Sequence, residues 1–406
     1  MNMVMERALL GELVRHFREN RQMAFLSGPR QVGKTTLAKA LVSQFPDSAY
    51  LNWDNQAHRA LILKGPDAVA GQLRLDRLRA DRPLCAFDEL HKYQHWRTFL
   101  KGLFDLYEDR ARFLVTGSAS LETFRRGGDS LMGRYFPYRL HPLSVGECLG
   151  GLAREGPCVE PTPLDEDRWQ ALWRFGGFPE TFLKANQRFH NRWRALRREQ
   201  LFREDLRDLT RIQELGQMEM LAELIRSQVG RPTSYSHLAR TVQVSVDTAK
   251  RWAATLASLY FCFTVKPWHR NVARALRKEP KHYLWDWSEV ADAGPRAENL
   301  VASALHKSAH WWTETGHGEF GLHFVRDKQK REVDFLVTRD QQPWFLVEVK
   351  ASKNASLSGS LAHFQRQTGA RHAFQAAMDA GFVARDCFTQ RSPVIVPART
   401  LLAQLA

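Results

Sequence analysis

Gly28, Gly33, Lys34 and Thr35 stand at fixed spacing in the run Gly-Pro-Arg-Gln-Val-Gly-Lys-Thr-Thr, residues 28–36. Glycines there let backbone N–H groups turn inward toward an oxyanion. A lysine adds a movable ammonium, and the hydroxyl that follows can ligate a hard cation. The chemistry these residue types support is the binding of ATP with Mg²⁺. Gly28, Pro29, Arg30, Gln31, Val32, Gly33, Lys34, Thr35 and Thr36 would form the cradle, with Lys34 on the β- and γ-phosphates and Thr35 on the metal. A second carboxylate-bearing strand must complete the metal side, and Leu84-Cys85-Ala86-Phe87-Asp88-Glu89 supplies it. Asp88 is expected to hold Mg²⁺ through water while Glu89 polarises the attacking water, which extends binding to hydrolysis.

Two further groups belong to the same chemistry. The run Phe113-Leu114-Val115 ends in Thr116-Gly117-Ser118, where Thr116 or Ser118 could sense the γ-phosphate or simply cap and turn the chain. Arg134, in Ser-Leu-Met-Gly-Arg, could serve as an arginine finger toward a neighbouring subunit's nucleotide, because a guanidinium stabilises charge on transferring phosphoryl oxygens.

A separate constellation lies near the C-terminus. Glu332-Val333-Asp334-Phe335-Leu336-Val337 and Phe345-Leu346-Val347-Glu348-Val349-Lys350 read as adjacent strands. Glu348 and Lys350 are two residues apart and share a strand face. That pattern suits a divalent-metal nuclease in which Asp334 and Glu348 ligate Mg²⁺ and Lys350 steadies or deprotonates the attacking water and offsets phosphate charge. Glu298 is a candidate further metal ligand, and Gln365 a candidate for orienting substrate. Glu348 sits in an otherwise apolar strand, where an unpaired charge needs a metal or another partner.

Between these groups the chain is basic. Lys and Arg number 59 against 44 Asp and Glu, a formal charge of +15, and residues 188–274 hold 16 basic against 8 acidic side chains. Such an excess favours a polyanionic partner, nucleic acid above all. Ser234 to Val242 and Val246 to Phe263 read as helices joined by a short turn at Val244-Ser245, with Leu238, Ala239, Val244 and Ala249 inward. This is helix-turn-helix spacing, with a following strand at Leu259 to Val265 as a possible wing, and it would turn Asp247, Thr248, Lys250 and Arg251 toward DNA.

The elements that must position these groups follow from pattern. Hydrophobic residues at 44% and charged residues at 25% describe a folded globular chain, and 406 residues are too many for one core. Leu10, Leu13, Val14 and Phe17 mark an amphipathic N-terminal helix, and no apolar run reaches membrane-span length. Strands are expected at Met23–Ser27, Ala49–Trp53, Pro83–Phe87, Arg112–Thr116 and Tyr138–His141, with helices between, one of them at Thr35–Phe45. That alternation predicts a parallel sheet covered by helices. Mostly helical sequence follows from Leu164 to Val229, interrupted at Gly176, Gly177 and Pro179. Strand and helix patterns return at Tyr283–Trp287, Pro295–Ala309, Leu322–Arg326, Glu332–Val337 and Trp344–Lys350. Five scattered cysteines show no metal-site pairing and fit a reducing cytoplasm.

The loop at 28–36, Phe-Asp-Glu-Leu-His-Lys around Asp88, Thr-Gly-Ser at 116–118, Leu-Met-Gly-Arg at 131–134 and Gly-Gly-Phe-Pro-Glu at 176–180 together resemble a family of prokaryotic AAA-type ATPases. Members carry a C-terminal domain with a restriction-endonuclease-like fold, and the similarity spans nearly the whole chain. It implies an α/β protein in four parts: a P-loop parallel-sheet ATPase domain at 1–150 with a helix at 1–21, a helical lid at 151–230, a winged helix-turn-helix at 231–270, and the endonuclease-like domain at 271–406. It places Asp334, Glu348 and Lys350 on that fold's active-site pattern, although the proline often found before the first aspartate is missing. The expected function is ATP hydrolysis coupled to DNA, with Mg²⁺-dependent cleavage open. The competing expectation is an ATP-operated switch that binds DNA or partner proteins without cutting. An ATP-dependent homo-oligomer and no membrane partner complete the expectations.

Overall fold

Apolar runs without alternation mark strands covered on both faces, and the first 141 residues hold several of them. In the computed structural model, which describes residues 5–117, 131–150, 156–206, 214–269 and 279–406, this stretch forms one compact unit and residues 142–406 a second. The first unit runs α1 (Ala8–Glu19), β1 (Met23–Ser27), α2 (Lys34–Val42), β2 (Ala49–Asn52), α3 (Gln56–Leu63), α4 (Pro66–Gln72), β3 (Leu84–Asp88), α5 (Trp96–Tyr107), β4 (Arg112–Thr116) and β5 (Tyr135–Arg139). All pairings are parallel, in the order β2-β3-β4-β1-β5. Met23, Phe25, Phe87 and Val115 of the sheet pack against Trp96, Phe99, Leu100 and Leu103 of α5. Burial of each such side chain contributes on the order of 1.5–3 kcal/mol.

The strand expected at Tyr138–His141 begins three residues earlier, at Tyr135. Pro137 discourages a strand assignment, but β5 is an edge strand, where a missing N–H need cost no ladder bond. The helix after the glycine loop starts one residue earlier than expected, at Lys34, because Gly33 takes the left-handed conformation at its N-cap.

The second unit begins with helices: α6 (Val145–Cys148), α7 (Glu166–Phe175), α8 (Pro179–Lys184), α9 (Gln187–Gln200), α10 (Leu215–Ser227), α11 (Tyr235–Val242) and α12 (Val246–Ser258). The break at Gly176 and Gly177 falls where expected. Gly177 is tight against neighbours, since a Cβ there would lie 2.6 Å from the Trp287 ring. Helices α10, α11 and α12 pack on one another.

Next come β6 (Cys262–Pro267), β7 (Lys281–Leu284), α13 (Ala293–Glu314), β8 (Phe320–Arg326), β9 (Glu332–Arg339), β10 (Gln342–Lys350), α14 (Gly359–Thr368), β11 (His372–Ala377), β12 (Val394–Pro397) and α15 (Ala398–Ala403). Their sheet has the order β12-β11-β10-β9-β8-β6-β7, so β6 and β7, on either side of residue 270, share one sheet with the C-terminal strands. β6 and β7 pair antiparallel, and Lys266 and Pro267 of β6 also pair with β8. Leu361 and Phe364 of α14 join Val333, Leu336 and Leu346 in the core. Among the described residues no helix is long and apolar enough to cross a membrane, and the five cysteines are free thiols.

Candidate functional site

The glycine loop leaves β1 at Ser27, on the sheet's C-terminal edge between β4 and β5, and opens α2. Gly28 has φ +146°, and a Cβ there would collide with the Leu140 carbonyl of the segment after β5. Gly33 has φ +102°. Both positions therefore need glycine. Lys34 is buried and folds back over the loop, its Nζ donating to the carbonyls of Gly28 at 2.8 Å and Pro29 at 2.7 Å. The N–H groups of the first turn of α2, which have no partner within a helix, and this ammonium form an anion cradle. The loop is braced from behind by Arg7, buried just ahead of α1, which donates to Val32 O at 2.8 Å and to His141 O.

Asp88 ends β3 and is 2% exposed. Its Oδ2 accepts from the Thr35 hydroxyl at 2.7 Å and the Tyr50 hydroxyl at 2.5 Å, and its Oδ1 accepts from Thr116. Three hydroxyls thus hold one buried carboxylate, as a desolvated charge requires. Burial and the Asp88 carboxylate push the Tyr50 phenol well above its ordinary range, so it stays a donor. Thr35 Oγ1 and Asp88 Oδ2 are hard oxygens side by side at a helix N-terminus, a donor set that suits Mg²⁺. When bound, that ion would draw off charge from the β- and γ-phosphates. Thr116, a candidate phosphate sensor, donates to Asp88 and helps position it.

Glu89 follows with φ +58°, its N–H bonded to Thr116 O at 3.2 Å. Its carboxylate lies 3.4 Å from Lys92 Nζ and 3.7 Å from His91 Nε2. Burial pulls the His91 pKa below its ordinary value, outweighing Glu89. Lys92 also reaches Asp54 at 2.7 Å.

Arg134 sits at the other end of the sheet. Its carbonyl accepts from Met23 N, at the start of β1, roughly a strand length of 15 Å from the loop after Ser27. The guanidinium is forked onto Asp105 of α5 at 2.7 and 3.0 Å and cannot reach the phosphate cradle of its own chain. Ser118 lies outside the described residues.

In the second unit the structure brings Glu298, Asp334, Glu348 and Lys350 into one neighbourhood and adds three residues that sequence reasoning passed over. Lys281 Nζ lies 2.6 Å from Glu332, 3.2 Å from Glu298 and 3.9 Å from Asp334. The Tyr283 hydroxyl donates to Glu298 at 2.6 Å, and Val349 N–H donates to Asp334 at 2.8 Å. Burial lowers the Lys281 pKa, but Glu298, Asp334 and Glu332 outweigh it and hold the ammonium charged. Burial, joined by Glu298 and opposed by Lys281, pushes the Asp334 carboxyl up to about 7. Glu348 and Lys350 share a face as expected and pair with each other at 2.7 Å, while Glu348 Oε2 is buried without a partner.

The expected ligands Asp334 and Glu348 are not joined by Glu298 in a three-carboxylate cage. Among the described residues no three His, Cys, Asp or Glu side chains are placed to hold a metal ion, the set Glu298, Asp334 and Glu348 included. The physical reason is Lys281, which supplies the positive charge from β7. Gln365, half-buried, donates to the Ser392 hydroxyl at 2.8 Å.

Helices α11 and α12 carry side-chain N-caps, with Ser234 accepting from His237 N and Ser245 from Thr248 N. The turn between them uses Gln243 at φ +58°. Leu238, Ala239 and Ala249 are buried as expected, whereas Val244 is half-buried. Asp247, Lys250 and Arg251 are exposed on the first turns of α12, with Thr248 half-buried beside them.

The fold and loop of the first unit define a P-loop nucleotide-binding domain, and residues 20–149 match the AAA domain family. Residues 166–292 match a Domain of unknown function (DUF8612) and residues 293–387 another (DUF4143). The uncharacterized protein Rv2008c of Mycobacterium tuberculosis is 24% identical over 366 residues, covering 88% of this chain and 77% of that protein. The uncharacterized protein Mb2031c of Mycobacterium bovis matches with the same values, 24% over 366 residues with 88% and 77% covered. Among solved structures, the Walker-type ATPase paby2304 of Pyrococcus abyssi aligns with TM-score 0.42 at 15% identity, covering 74% of this chain and 95% of that one. The AMPPCP-bound DnaA of Aquifex aeolicus aligns with TM-score 0.31 at 13% identity, covering 61% and 85%.

Proposed function

We propose that the chain hydrolyses ATP and uses the nucleotide state to control binding of DNA by the helix pair α11–α12, without cutting it. The observation that carries the ATP half is the contact between Thr35 and Asp88, which sets a hydroxyl and a carboxylate together beside Lys34. Mg²⁺ would be held by this pair. Lys34 would exchange its loop carbonyls for the β- and γ-phosphates, and Glu89 would orient the attacking water. Arg134, far from its own cradle, would act on the nucleotide of a second copy, so the proposal includes an ATP-dependent homo-oligomer.

The DNA half is supported by architecture and charge. Helices α10, α11 and α12, a short bridge from Pro232 to Lys281, and the β6–β7 hairpin have the order of a winged helix-turn-helix. Lys250 and Arg251 on α12 are exposed for phosphate contact.

Phosphate release by wild type and Lys34→Ala tests the first half, and equal rates would remove this site from the mechanism. Fluorescence anisotropy with duplex DNA tests the second, with and without a non-hydrolysable ATP analogue. Binding that neither weakens in Lys250→Ala/Arg251→Ala nor responds to nucleotide would sink it. A second reading, Mg²⁺-dependent cleavage by Asp334, Glu348 and Lys350, has the unpartnered Glu348 Oε2 in its favour. Supercoiled DNA nicked by wild type with Mg²⁺ and spared by Lys350→Ala would establish that reading instead.

A further inference from the structure

The acid cluster of the second unit contains a buried cation supplied by the chain itself. Lys281 is 1% exposed, and its ammonium touches Glu332 of β9 at 2.6 Å and Glu298 of α13 at 3.2 Å, with Asp334 at 3.9 Å. Further donors also meet these carboxylates. Tyr283 donates to the same Glu298 oxygen that faces Lys281, Val349 N–H donates to Asp334 Oδ2, and Arg326 lies 3.5 Å from Glu332.

A Mg²⁺ ion asks for near-octahedral oxygen ligands at about 2.0–2.1 Å. To collect Glu298 and Asp334 together it would have to enter the space between them, where Lys281 Nζ stands. Two like charges at such a separation repel strongly in a buried, low-dielectric setting. The orphan Oε2 of Glu348 would meet a cation only together with Asp334, whose Oδ1 already faces Lys281 at 3.9 Å.

We infer that Lys281 is the resident cation of this cluster, standing in place of a divalent metal and tying β7 to α13 and β9. The acid cluster is thereby an internal ion-pair network. The network also borders the lead-in to α11. Gly230, at φ +76°, lies so near Glu298 that a Cβ would sit 2.9 Å from its Oε1, and Pro232 bridges to Lys281 itself. Lys281 therefore joins the sheet carrying the acid cluster to the segment that carries the helix pair. The inference bears on the no-cleavage clause of the function proposed above and leaves ATP hydrolysis and DNA binding untouched.

The test is Mn²⁺ binding to the full-length, nucleotide-free protein, followed by electron paramagnetic resonance, in wild type, Asp334→Asn, Lys281→Gln and Lys281→Gln/Asp334→Asn. Wild type and Asp334→Asn are expected to bind Mn²⁺ equally weakly. Lys281→Gln, once circular dichroism shows it folded, is expected to bind at least about tenfold tighter, and Asp334→Asn added to it should reverse the gain. Wild-type Mn²⁺ binding that Asp334→Asn abolishes would overturn the inference, as would a folded Lys281→Gln that binds no better than wild type. Should Lys281→Gln fail to fold, the pair of wild type and Asp334→Asn decides the question alone.

Discussion

The ammonium of Lys92 lies 3.4 Å from the carboxylate of Glu89, the residue one position beyond the buried Asp88. Lys92 is shared with Asp54 at 2.7 Å, so the pair forms part of a small surface network. An exposed pair of this kind is worth about 1 kcal/mol at most. Its effect on a carboxylate that must polarise water is to draw electron density away. Lys92→Met is therefore expected to raise ATP turnover, by no more than about fivefold given that energy. Glu89→Gln should lower it by about 10²–10⁴-fold, the usual range for a positioned general base. Phosphate release at saturating ATP measures both. A Lys92→Met rate at or below wild type would show that the pair supports Glu89 instead of restraining it.

Arg7 braces the phosphate loop through Val32 O and His141 O. Removing it leaves buried carbonyls unsatisfied, at about 1–3 kcal/mol each. Arg7→Ala should accordingly lower the melting temperature and weaken ATP binding, while the chemical step of the remaining bound population changes less. The readout is a KM that rises with kcat held within about threefold. Loss of kcat with KM unchanged would place Arg7 in the reaction itself.

Two glycines of the first unit separate backbone need from helix tolerance. At Gly28 a Cβ would meet the Leu140 carbonyl, and φ is +146°, so Gly28→Ala should abolish binding of a fluorescent ATP analogue. At Gly102, inside α5, the nearest atom to a Cβ is Pro66 Cγ at 3.8 Å. Gly102→Ala should fold normally and gain roughly 0.5–1 kcal/mol of stability from helix propensity. Binding retained in Gly28→Ala would mean that the loop re-forms away from Leu140.

These contacts show what was legible beforehand. The loop at 28–36 and Asp88 were readable because phosphate cradles impose local spacing, and Thr35 and Asp88 meet as that spacing implies. Tyr50 and Arg7 were not readable. Each reaches the site through tertiary packing, Tyr50 from the neighbouring strand β2 and Arg7 from the far side of the loop, and neither leaves a spacing signal. The C-terminal set was half legible. Strand alternation placed Glu348 and Lys350 on one face, but Lys281 comes from a strand 67 residues before Glu348 in sequence, and no local pattern ties a lysine to that cluster. The strand at Tyr135–Arg139 was displaced in the sequence reading because Pro137 gives the same signal for a strand end as for an edge strand.

His282 carries a pH dependence whose sign can be worked out. It is 2% exposed on β7, with ring nitrogens 3.2 Å from the Thr264 hydroxyl and 3.3 Å from the Tyr235 hydroxyl. Burial pulls its pKa down to about 4, so the folded protein keeps it neutral where the unfolded chain would protonate it. A folded pKa below the unfolded one gives stability that is complete above about pH 6.5 and is lost as pH falls toward 4. The loss reaches about 3 kcal/mol at the low end, at about 1.4 kcal/mol per unit. His282 joins the β6–β7 hairpin to α11 through Tyr235, so mild acid should loosen the helix pair from the sheet. Urea unfolding of wild type and His282→Gln across about pH 4 to 7 isolates this residue, because other titrating groups cancel in the difference. His282→Gln is expected to be the less stable protein at neutral pH, since it gives up ring packing, and to approach or pass wild type near the acid end. Parallel stability curves for the two proteins would show that the imidazole is protonated in the folded state or carries no charge penalty there.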